Sequence, residues 1–225
     1  MKKVFNKFTI GLLLFLVIAF IVVRSIYGGF QEERLIQKYL NDPEKKQFAE
    51  MLRTDQKDLA SNPDRARLIG ITMDMGLQWY NLMQYDLAAK WWEKGLTIEH
   101  NNDIGWYNLG NAYRDLRKYL KAENAYEESM DVAVSGEIDA CLALGEMYKY
   151  MYTKKKDKED NVYLKCLKKH GNNRDLIARL AIYYRDNGDL ENALKYFDQL
   201  FSIEPGADVS EELRNLRIKQ QAAEQ

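Results

Sequence analysis

The sequence predicts an all-α solenoid of helical hairpins behind an N-terminal transmembrane helix. Three features predict it: a charge-free apolar run near the start, apolar residues at helical spacing, and a motif that recurs after 34 residues. Apolar residues three or four positions apart form one face of a helix, and a period of 34 is typical of stacked helix-turn-helix units. We expect about four hairpins, preceded by leading helices and closed by a C-terminal capping helix.

The N-terminal apolar run is long enough to cross a membrane. Residues 8–23 carry no charge and follow three lysines. Extended to the interfacial Tyr27, the segment 8–27 forms about 30 Å of helix, which matches the hydrocarbon thickness of a bilayer. We therefore predict a cytoplasmic N-terminus at 1–7 and a transmembrane signal anchor at 8–27.

The lysines before the run predict the topology. Because basic flanks stay in the cytoplasm, the bulk of the chain is expected on the extracytoplasmic side, in a bacterium the periplasm. A cleaved signal peptide has the same basic start and apolar stretch, and is the alternative. The small residues Gly28 and Gly29 follow bulky Ile26 and Tyr27 without an A-x-A-like site, which favours an uncleaved anchor.

The charge distribution argues against a nucleic-acid partner. The formal net charge is −1, and the first 30 residues hold four of the 33 basic residues and no acidic one. The rest of the chain therefore carries 29 basic and 34 acidic residues. Proteins that bind nucleic acid present a basic face, whereas this part of the chain is acidic overall.

Residues 31–62 are predicted to form leading helices or a membrane-proximal stalk. Asn41, Asp42 and Pro43 interrupt the helical pattern, with Asp42 as a candidate N-cap and Pro43 in the first turn of the next helix. The sequence Asn62-Pro63-Asp64 repeats this start signal, and the hairpins are predicted over 63–207.

The hairpins are predicted from matched small and aromatic positions. Small residues are expected where the two helices of a hairpin approach closely, and aromatic residues in the wider gaps between neighbouring hairpins. Six positions recur at the 34-residue period. Gly76, Trp79, Tyr85, Ala88, Trp92 and Leu96 recur as Gly110, Tyr113, Tyr119, Ala122, Tyr126 and Met130.

Two stretches carry this motif most completely. One reads Trp106-x2-Leu109-Gly110-x2-Tyr113 followed by Ala122-x3-Tyr126. The other reads Ile177-x2-Leu180-Ala181-x2-Tyr184 followed by Ala193-x3-Phe197 and Pro205. Both closely resemble the tetratricopeptide repeat family. The resemblance implies four repeats, at 69–102, 103–137, 138–173 and 174–207.

The third repeat departs from the pattern in its turn. Residues 153–160 lengthen the turn by about two residues and are mostly charged. A tolerated loop insertion and a charged docking knuckle are both open. Cys141 and Cys166 lie on the two opposite helices of this repeat, so a disulfide is open beside two buried free thiols.

Residues 208–225 are predicted to form the capping helix. Asp208 and Glu211 resemble a capping box, and Val209, Leu213 and Leu216 make one narrow apolar stripe. One apolar face and one polar, solvent-exposed face suit the last helix of a stack.

The family resemblance also implies a concave groove lined by the first helix of each repeat. Aromatic and aliphatic residues mixed with Asn and Arg suit an extended peptide or an amphipathic helix of a partner protein. The residues expected to project into the groove are Met73, Leu77, Tyr80, Tyr107, Asn108, Asn111, Arg114, Leu142, Glu146, Lys149, Ile182 and Arg185.

Two further surfaces are considered. Some family members clamp a partner's C-terminal carboxylate, but the matching positions keep only Asn108 in one register and Asn111 with Arg179 in the next, which disfavours this mode. Trp91 is predicted to point away from its partner helix, either as a convex contact for another protein or covered by the leading helices.

No catalytic or metal site is predicted. The chain has two histidines, His100 and His170, and lacks phosphate-loop, nucleophile-elbow and paired-histidine motifs. Asp157, Glu159 and Asp160 lack the spacing of a calcium loop. We therefore expect no enzyme activity, cofactor, metal or small-molecule substrate.

The sequence thus favours a membrane-tethered scaffold or adaptor that binds a partner protein, for example in assembly of a cell-envelope complex. The alternative is a structural, self-associating stalk subunit of such a complex.

Overall fold

The computed structural model describes residues 7–134 and 137–223, so nearly all of the predicted cytoplasmic N-terminus at 1–7 lies outside the described residues. Regular structure in the described part consists of α-helices and one short 3₁₀ helix, which confirms the all-α prediction. The chain divides into two compact units, Met1–Pro63 and Asp64–Gln225.

The first unit is a pair of helices, α1 at Lys7–Leu40 and α2 at Lys46–Ala60. The chain breaks after Leu40, within the predicted Asn41-Asp42-Pro43 signal, but α2 begins three residues beyond Pro43. Asp42 Oδ1 instead accepts a hydrogen bond from the Glu44 amide at 3.1 Å, so it stabilises the turn rather than the helix start.

Helix α1 differs from expectation because it continues through Gly28 and Gly29 without interruption. Glycine lowers helix propensity, but it keeps the backbone N–H and C=O that the helical hydrogen bonds require. The predicted membrane segment and the first leading helix are therefore one element.

Among the described residues, the segment Gly11–Leu40 of α1 is long and apolar enough to cross a membrane, with a mean hydropathy of 2.3 in its most apolar window. A signal sequence meets the same criterion. The large apolar side chains between Leu12 and Val23 are about half to two-thirds exposed. An exposed apolar surface of this size is typical of a segment that contacts a membrane or another protein.

The second unit contains four helical hairpins and a last helix. Each hairpin pairs a first helix with the helix that follows it, and successive hairpins contact one another. The helices are α3 (Arg65–Asn81), α4 (Tyr85–Ile98), α5 (Asp103–Asp115), α6 (Tyr119–Val132), α7 (Asp139–Tyr150), α8 (Glu159–His170), α9 (Arg174–Asp186), α10 (Leu190–Ile203) and α11 (Ala207–Ala223).

Local polar residues set where three of the first helices begin. Asp64 accepts a hydrogen bond from the Arg67 amide at 2.8 Å, and Asn102 accepts one from the Gly105 amide at 2.7 Å. Asn173 caps α9 in the same way. These side chains satisfy amides that have no partner inside the helix, which fixes the first residue of each hairpin.

In the first three hairpins, an aromatic residue of the second helix packs directly on a glycine of the first helix. A Cβ added to Gly110 would lie 2.6 Å from the ring of Tyr126, so only glycine leaves room for it. This differs from the expected position between neighbouring hairpins, because the ring enters the hairpin itself. The three pairs are Gly76 with Trp92, Gly110 with Tyr126, and Gly145 with Tyr163.

The third hairpin contains the irregular turn. Residues Thr153–Lys158 form a 3₁₀ helix between α7 and α8. Cys141 and Cys166 are buried and joined by a disulfide, with their Cα atoms 6.3 Å apart. The covalent link therefore ties together the two helices that the insertion separates.

The last helix closes the stack as predicted. Leu213 and Leu216 of α11 are buried, and α11 packs against α10. An ion pair between Arg217 and Asp198 at 2.9 Å spans the same two helices. The apolar side of the fourth hairpin is thereby covered, while the opposite side of α11 stays exposed.

Candidate partner-binding groove

All twelve predicted groove residues lie on the first helices α3, α5, α7 and α9. Helix α3 contacts α5, and α5 contacts α7. Arg179 of α9 donates to Glu146 of α7, so the first helices of successive hairpins form a continuous face of the second unit, as the repeat pattern requires.

The apolar members of this face differ in accessibility. Leu77 is 43% exposed and is the most open large apolar residue predicted there. Tyr107, Leu142 and Ile182 are half-buried. We call these four residues the apolar strip; each belongs to a different first helix, in the order α3, α5, α7 and α9.

Met73 does not belong to the strip. Its methyl carbon would lie 2.6 Å from a Cβ on Gly95 and 3.1 Å from one on Gly105. The side chain therefore fills the junction of α3 with α4 and α5. Two glycines make that space, so Met73 acts in helix packing rather than on an open surface.

Tyr80 is held in a hydrogen-bonded chain that links two repeats. Its hydroxyl donates to Asp115 Oδ2 at 2.5 Å, and Asp115 Oδ1 accepts from Arg114 Nε at 3.0 Å. Burial raises the pKa of Tyr80, and the hydrogen bond to Asp115 raises it further, so the hydroxyl remains a donor. The chain fixes the groove wall between α3 and α5.

Asn111 is used for packing as well. Its Oδ1 accepts a hydrogen bond from the Tyr126 hydroxyl at 2.8 Å, while the Tyr107 ring lies 6.2 Å from the Tyr126 ring. Asn108, one turn earlier on α5, is half-buried. The hydrogen bond from Tyr126 uses Asn111 Oδ1 and fixes the orientation of the Asn111 amide within the second hairpin.

The charged residues of the face pair with carboxylates of the stack itself. Arg179 donates to Glu146 at 2.5 Å across α7 and α9. Lys149 lies 3.8 Å from Asp186, and Arg185 donates to Glu212 of α11 at 2.8 Å. A second clamp position, Arg179, is thus also engaged.

These ion pairs are partly exposed, so each contributes little stability by itself. Their effect on recognition is larger, because the cations and carboxylates neutralise one another along the face. The groove therefore offers apolar contacts between paired charges rather than a strong net charge.

The predicted convex contact at Trp91 is wrong as an exposed surface. Trp91 is only 8% exposed, so its ring cannot anchor another protein as it stands. The ammonium groups of Lys90 and Lys94 lie 5.8 Å and 4.6 Å from the ring centroid. Helical spacing gave the direction of the side chain but not the groups that cover it.

Sequence reasoning missed a cleft of about 490 Å³ formed by α4, α5 and α6. It opens beside the second helices and is separate from the apolar strip. Trp106, the first residue of the repeat motif in the second hairpin, is the signal that could have pointed to it. Its lining residues are Glu93, Leu96, Thr97, His100, Trp106, Leu109, Tyr113, Lys121, Asn124, Ala125 and Glu128.

Across residues 7–134 and 137–223, no group of three or more histidine, cysteine, aspartate or glutamate side chains is placed to hold a metal ion. The two histidines lie apart on different helices or turns, His100 beside Glu128 at 3.4 Å and His170 at the end of α8.

Comparison with known proteins identifies the repeats. A family model described as tetratricopeptide repeat matches residues 105–133 and 175–206. A TPR repeat-containing protein of Borreliella burgdorferi is 27% identical over 188 residues, which cover 78% of this chain and 76% of that protein. An uncharacterized protein, ycf37 of Porphyra purpurea, is 29% identical over 84 residues; the match covers 37% of this chain and about half, 49%, of that relative.

Solved structures share the fold at low sequence identity. MamA has a TM-score of 0.54 at 18% identity, covering 67% of this chain and 85% of MamA. Pseudomonas aeruginosa pilF has a TM-score of 0.55 at 17% identity, covering 84% and 86%. YrrB, described as a TPR protein with an unusual peptide-binding site, has a TM-score of 0.51 at 14% identity, covering 74% and 82%.

The matched repeats 105–133 and 175–206 coincide with the second and fourth hairpins, and the likeness to these structures extends over the stack. Residues 64–134 and 137–223 therefore form an all-helical solenoid that resembles tetratricopeptide repeats.

Proposed function

We propose that this protein is a membrane-tethered scaffold that binds a peptide or helix of a partner protein along the apolar strip. Tetratricopeptide proteins of this kind mediate protein–protein interactions. The partner would be a component of a cell-envelope complex, and the scaffold would hold it near the membrane. No chemical step on the partner is part of the proposal.

The observation that carries the proposal is the accessibility of Leu77 on a face whose charged side chains are already paired. Leu77 is 43% exposed on a face whose charged residues are paired with one another. An apolar side of a partner peptide gains most from such a surface, because it buries apolar area without breaking a charge pair.

The stack also supports binding through its rigidity. The walls of the groove are helices fixed by Tyr80–Asp115 and Arg179–Glu146 contacts between repeats. A surface that is already formed loses little conformational entropy when a partner binds, so more of the contact energy appears as affinity.

The membrane tether is proposed from α1. Its exposed apolar side chains between Leu12 and Val23 support insertion in a bilayer, and the three lysines before it support a cytoplasmic N-terminus. We propose that α1 stays uncleaved and that the repeats lie on the extracytoplasmic side.

The tether is tested by the mass and topology of the mature protein. We expect intact mass spectrometry of membrane-extracted protein to include residues 1–30. We also expect a C-terminal alkaline phosphatase fusion, active only outside the cytoplasm, to be active. A mature chain that begins after Tyr27 would show that the segment is a cleaved signal peptide. An inactive fusion would show that the C-terminus lies in the cytoplasm.

The groove is tested by site-specific photocrosslinking in cells that produce the full chain. A photoreactive amino acid in place of Leu77 should capture a defined partner, which mass spectrometry then identifies. The matched position is Ile218 on the outer side of α11, which is 58% exposed and outside the groove. The same captured proteins from both positions would show that capture is not specific to the groove and would contradict the proposed binding site.

Once the partner segment is identified, Tyr107→Ala and Leu142→Ala should each weaken its binding without unfolding the repeats. Both residues are half-buried, so part of each side chain is open to a partner. Truncation of such a contact typically costs about 1 to 2 kcal/mol of binding energy. Unchanged affinity in both variants, measured by calorimetry on folded protein, would contradict the proposed strip.

A self-associating stalk is the second candidate. Trp91, the residue that first suggested it, is buried, so self-association would need another surface. Light scattering of the full chain in detergent across protein concentrations separates the two candidates, because a mass that rises with concentration would support the stalk.

A further inference from the structure

The turn of the second hairpin and the 3₁₀ segment of the third hairpin lie side by side and are rich in basic residues. We call residues 117–123 and 152–158 together the basic edge. These two stretches contain seven basic and two acidic residues, in a chain whose formal net charge is −1. The basic residues are Arg117, Lys118, Lys121, Lys154, Lys155, Lys156 and Lys158.

Two contacts hold the two stretches together. The rings of Tyr119 and Tyr152 stack with centroids 5.5 Å apart and planes 22° from parallel. Lys155 Nζ lies 2.5 Å and 2.6 Å from the two carboxylate oxygens of Glu123. The insertion that lengthens the third turn is therefore packed onto the second turn rather than extended into solvent.

The remaining cations of the basic edge face outward. Lys155 forms an ion pair with Glu123, and the Lys121 ammonium group lies 4.9 Å from the centroid of the Tyr113 ring. Arg117, Lys118, Lys154, Lys156 and Lys158 are exposed and project from turn or 3₁₀ backbone.

Exposed apolar side chains lie among these cations. Leu120 is 61% exposed, and it borders a shallow depression of about 350 Å³ with Tyr119, Tyr152 and Lys118. Tyr150 and Met151, just before the 3₁₀ segment, are 65% and 49% exposed. Cations around exposed apolar and aromatic tips are typical of surfaces that enter the headgroup region of a bilayer.

We infer that the basic edge binds the anionic phospholipid headgroups of a bilayer. Lysine ammonium groups on flexible stems suit phosphates whose positions vary, whereas a folded acidic partner favours rigid, bidentate arginine contacts. Leu120 and Met151 would enter the interfacial region beside the headgroups. The proposed tether bears on this inference only because α1 would keep a bilayer near the repeats.

This contact would turn one edge of the repeats toward the membrane. The rest of the chain is acidic and is repelled by the same anionic surface. Attraction at one edge and repulsion elsewhere give the domain a preferred orientation.

The inference is tested with full-length protein reconstituted in nanodiscs. Both native cysteines are in the disulfide, so one introduced thiol can be labelled without reductant. An environment-sensitive fluorophore is attached at Leu120→Cys, or at Val134→Cys as the matched position. Leu120 lies at the start of α6 and Val134, 70% exposed, just beyond its end, roughly 20 Å away along the helix.

We expect the fluorophore at position 120 to shift to shorter wavelength in nanodiscs of phosphatidylcholine mixed with phosphatidylglycerol, but not in phosphatidylcholine alone. The fluorophore at position 134 should not shift. Raising the salt should reverse the shift, because the Debye length falls from about 10 Å at 0.1 M to about 3 Å at 1 M.

Two charge variants separate the basic edge from net charge. Replacing Lys118, Lys154, Lys156 and Lys158 by Gln should reduce the equilibrium constant for the contact of the edge with the bilayer by roughly fivefold per lysine, and the shift should be lost. The matched variant replaces Lys168, Lys195, Arg214 and Lys219 by Gln, all exposed and outside the edge, and should keep the shift. Equal loss in both variants, or equal shifts in both lipid compositions, would overturn the inference.

An acidic protein partner is the competing occupant. If a polyglutamate peptide produces the shift at position 120 in phosphatidylcholine nanodiscs, the edge recognises acidic peptide and the lipid inference fails.

The inference and the proposed function fail separately. If Tyr107→Ala and Leu142→Ala both keep partner capture while the lipid shift at position 120 is present, the proposed groove is contradicted and the basic edge is supported. If the mature chain lacks α1, the proposed membrane tether is contradicted. The basic edge is then tested by adding vesicles of the same two lipid compositions to the mature protein.

Discussion

Single residues set the distance between the two helices of each hairpin. A Cβ on Gly110 would lie 2.6 Å from the ring of Tyr126, and one on Gly145 would lie 2.3 Å from the ring of Tyr163. In the fourth hairpin the corresponding residues are Ala181 and Phe197. Small and aromatic positions therefore act as fitted pairs.

Gly110→Ala is expected to destabilise the protein by about 1 to 3 kcal/mol, because the added methyl group overpacks the hairpin against Tyr126. Gly70→Ala is the matched control, since Gly70 is in α3 with nothing within 4 Å of an added Cβ. That variant should gain about 0.5 to 1 kcal/mol from helix propensity. Urea unfolding followed by circular dichroism measures both, and a neutral Gly110→Ala would contradict the fitted-pair account.

A buried carboxylate sits at the start of α8. Glu159 is 2% exposed, and its Oε2 atom has no hydrogen-bond partner in the described structure. Burial raises the pKa of Glu159, although Lys149, Lys156 and Arg179 act in the opposite direction. The folded state therefore holds the proton of this carboxyl more tightly than the unfolded state does.

This residue is expected to make stability depend on pH. Since the folded-state pKa is raised, the contribution of Glu159 is fully present below its ordinary value of about 4.5 and is lost as the pH rises through the folded-state pKa. Glu159→Gln should therefore gain stability relative to the native protein as the pH rises from 4.5. Unfolding across pH measures the difference, with the exposed Glu211→Gln as control; a constant difference for Glu159→Gln would refute this.

At the scale of elements, the third hairpin combines an inserted 3₁₀ segment with a disulfide. The segment Thr153–Lys158 contributes no buried side chain to the core. The disulfide joins α7 and α8 across a sequence separation of 25, and Tyr163 packs on Gly145 in the same hairpin. A covalent link and a close helix contact thus compensate for a longer connection.

Removing the disulfide is expected to loosen this hairpin more than the others. Closing a loop of this length stabilises a fold by about 3 kcal/mol, chiefly by restricting the unfolded chain. In the Cys141→Ser, Cys166→Ser double variant, amide hydrogen exchange should therefore rise most in α7 and α8. Reductant should reproduce the effect in native protein and have none on the variant. Unchanged exchange in α7 and α8 would show that the hairpin is stable without the link.

At the scale of the whole molecule, the repeats form a stack in which each hairpin depends on its neighbours. Contacts between hairpins join mainly neighbouring hairpins, and α11 packs against α10 of the fourth. Such solenoids have stability that is approximately a sum of hairpin and interface terms. Damage at one end should therefore remain local.

Leu216→Ala tests this property. Leu216 is a residue of α11, which packs against α10, and is 1% exposed, so its truncation should cost about 3 kcal/mol of stability at this last interface. Hydrogen exchange is expected to increase in α9 to α11, with little change in α3 to α6. The control is Ile218→Ala on the exposed side of α11, where we expect a change below about 0.5 kcal/mol. A uniform increase along the stack would show that the repeats unfold as one unit.

The sequence by itself determined the all-α class, the positions of the four hairpins and the capping helix. These follow from local signals, because helical spacing and capping residues such as Asp64 and Asn102 act within a few residues. Small motif residues such as Gly110 also predicted which helices pair, whereas Tyr126, expected between neighbouring hairpins, packs inside its own hairpin.

Only the tertiary structure decided which side chains of those helices remain open. Trp91 is buried, Met73 fills a junction between hairpins, and Asn111 serves Tyr126, although all three project from the expected helices. The stacking of Tyr119 on Tyr152, which assembles the basic edge, joins residues 33 positions apart. Periodicity gives the direction of a side chain, whereas its exposure depends on neighbours brought close by folding, and the local sequence does not encode those distances.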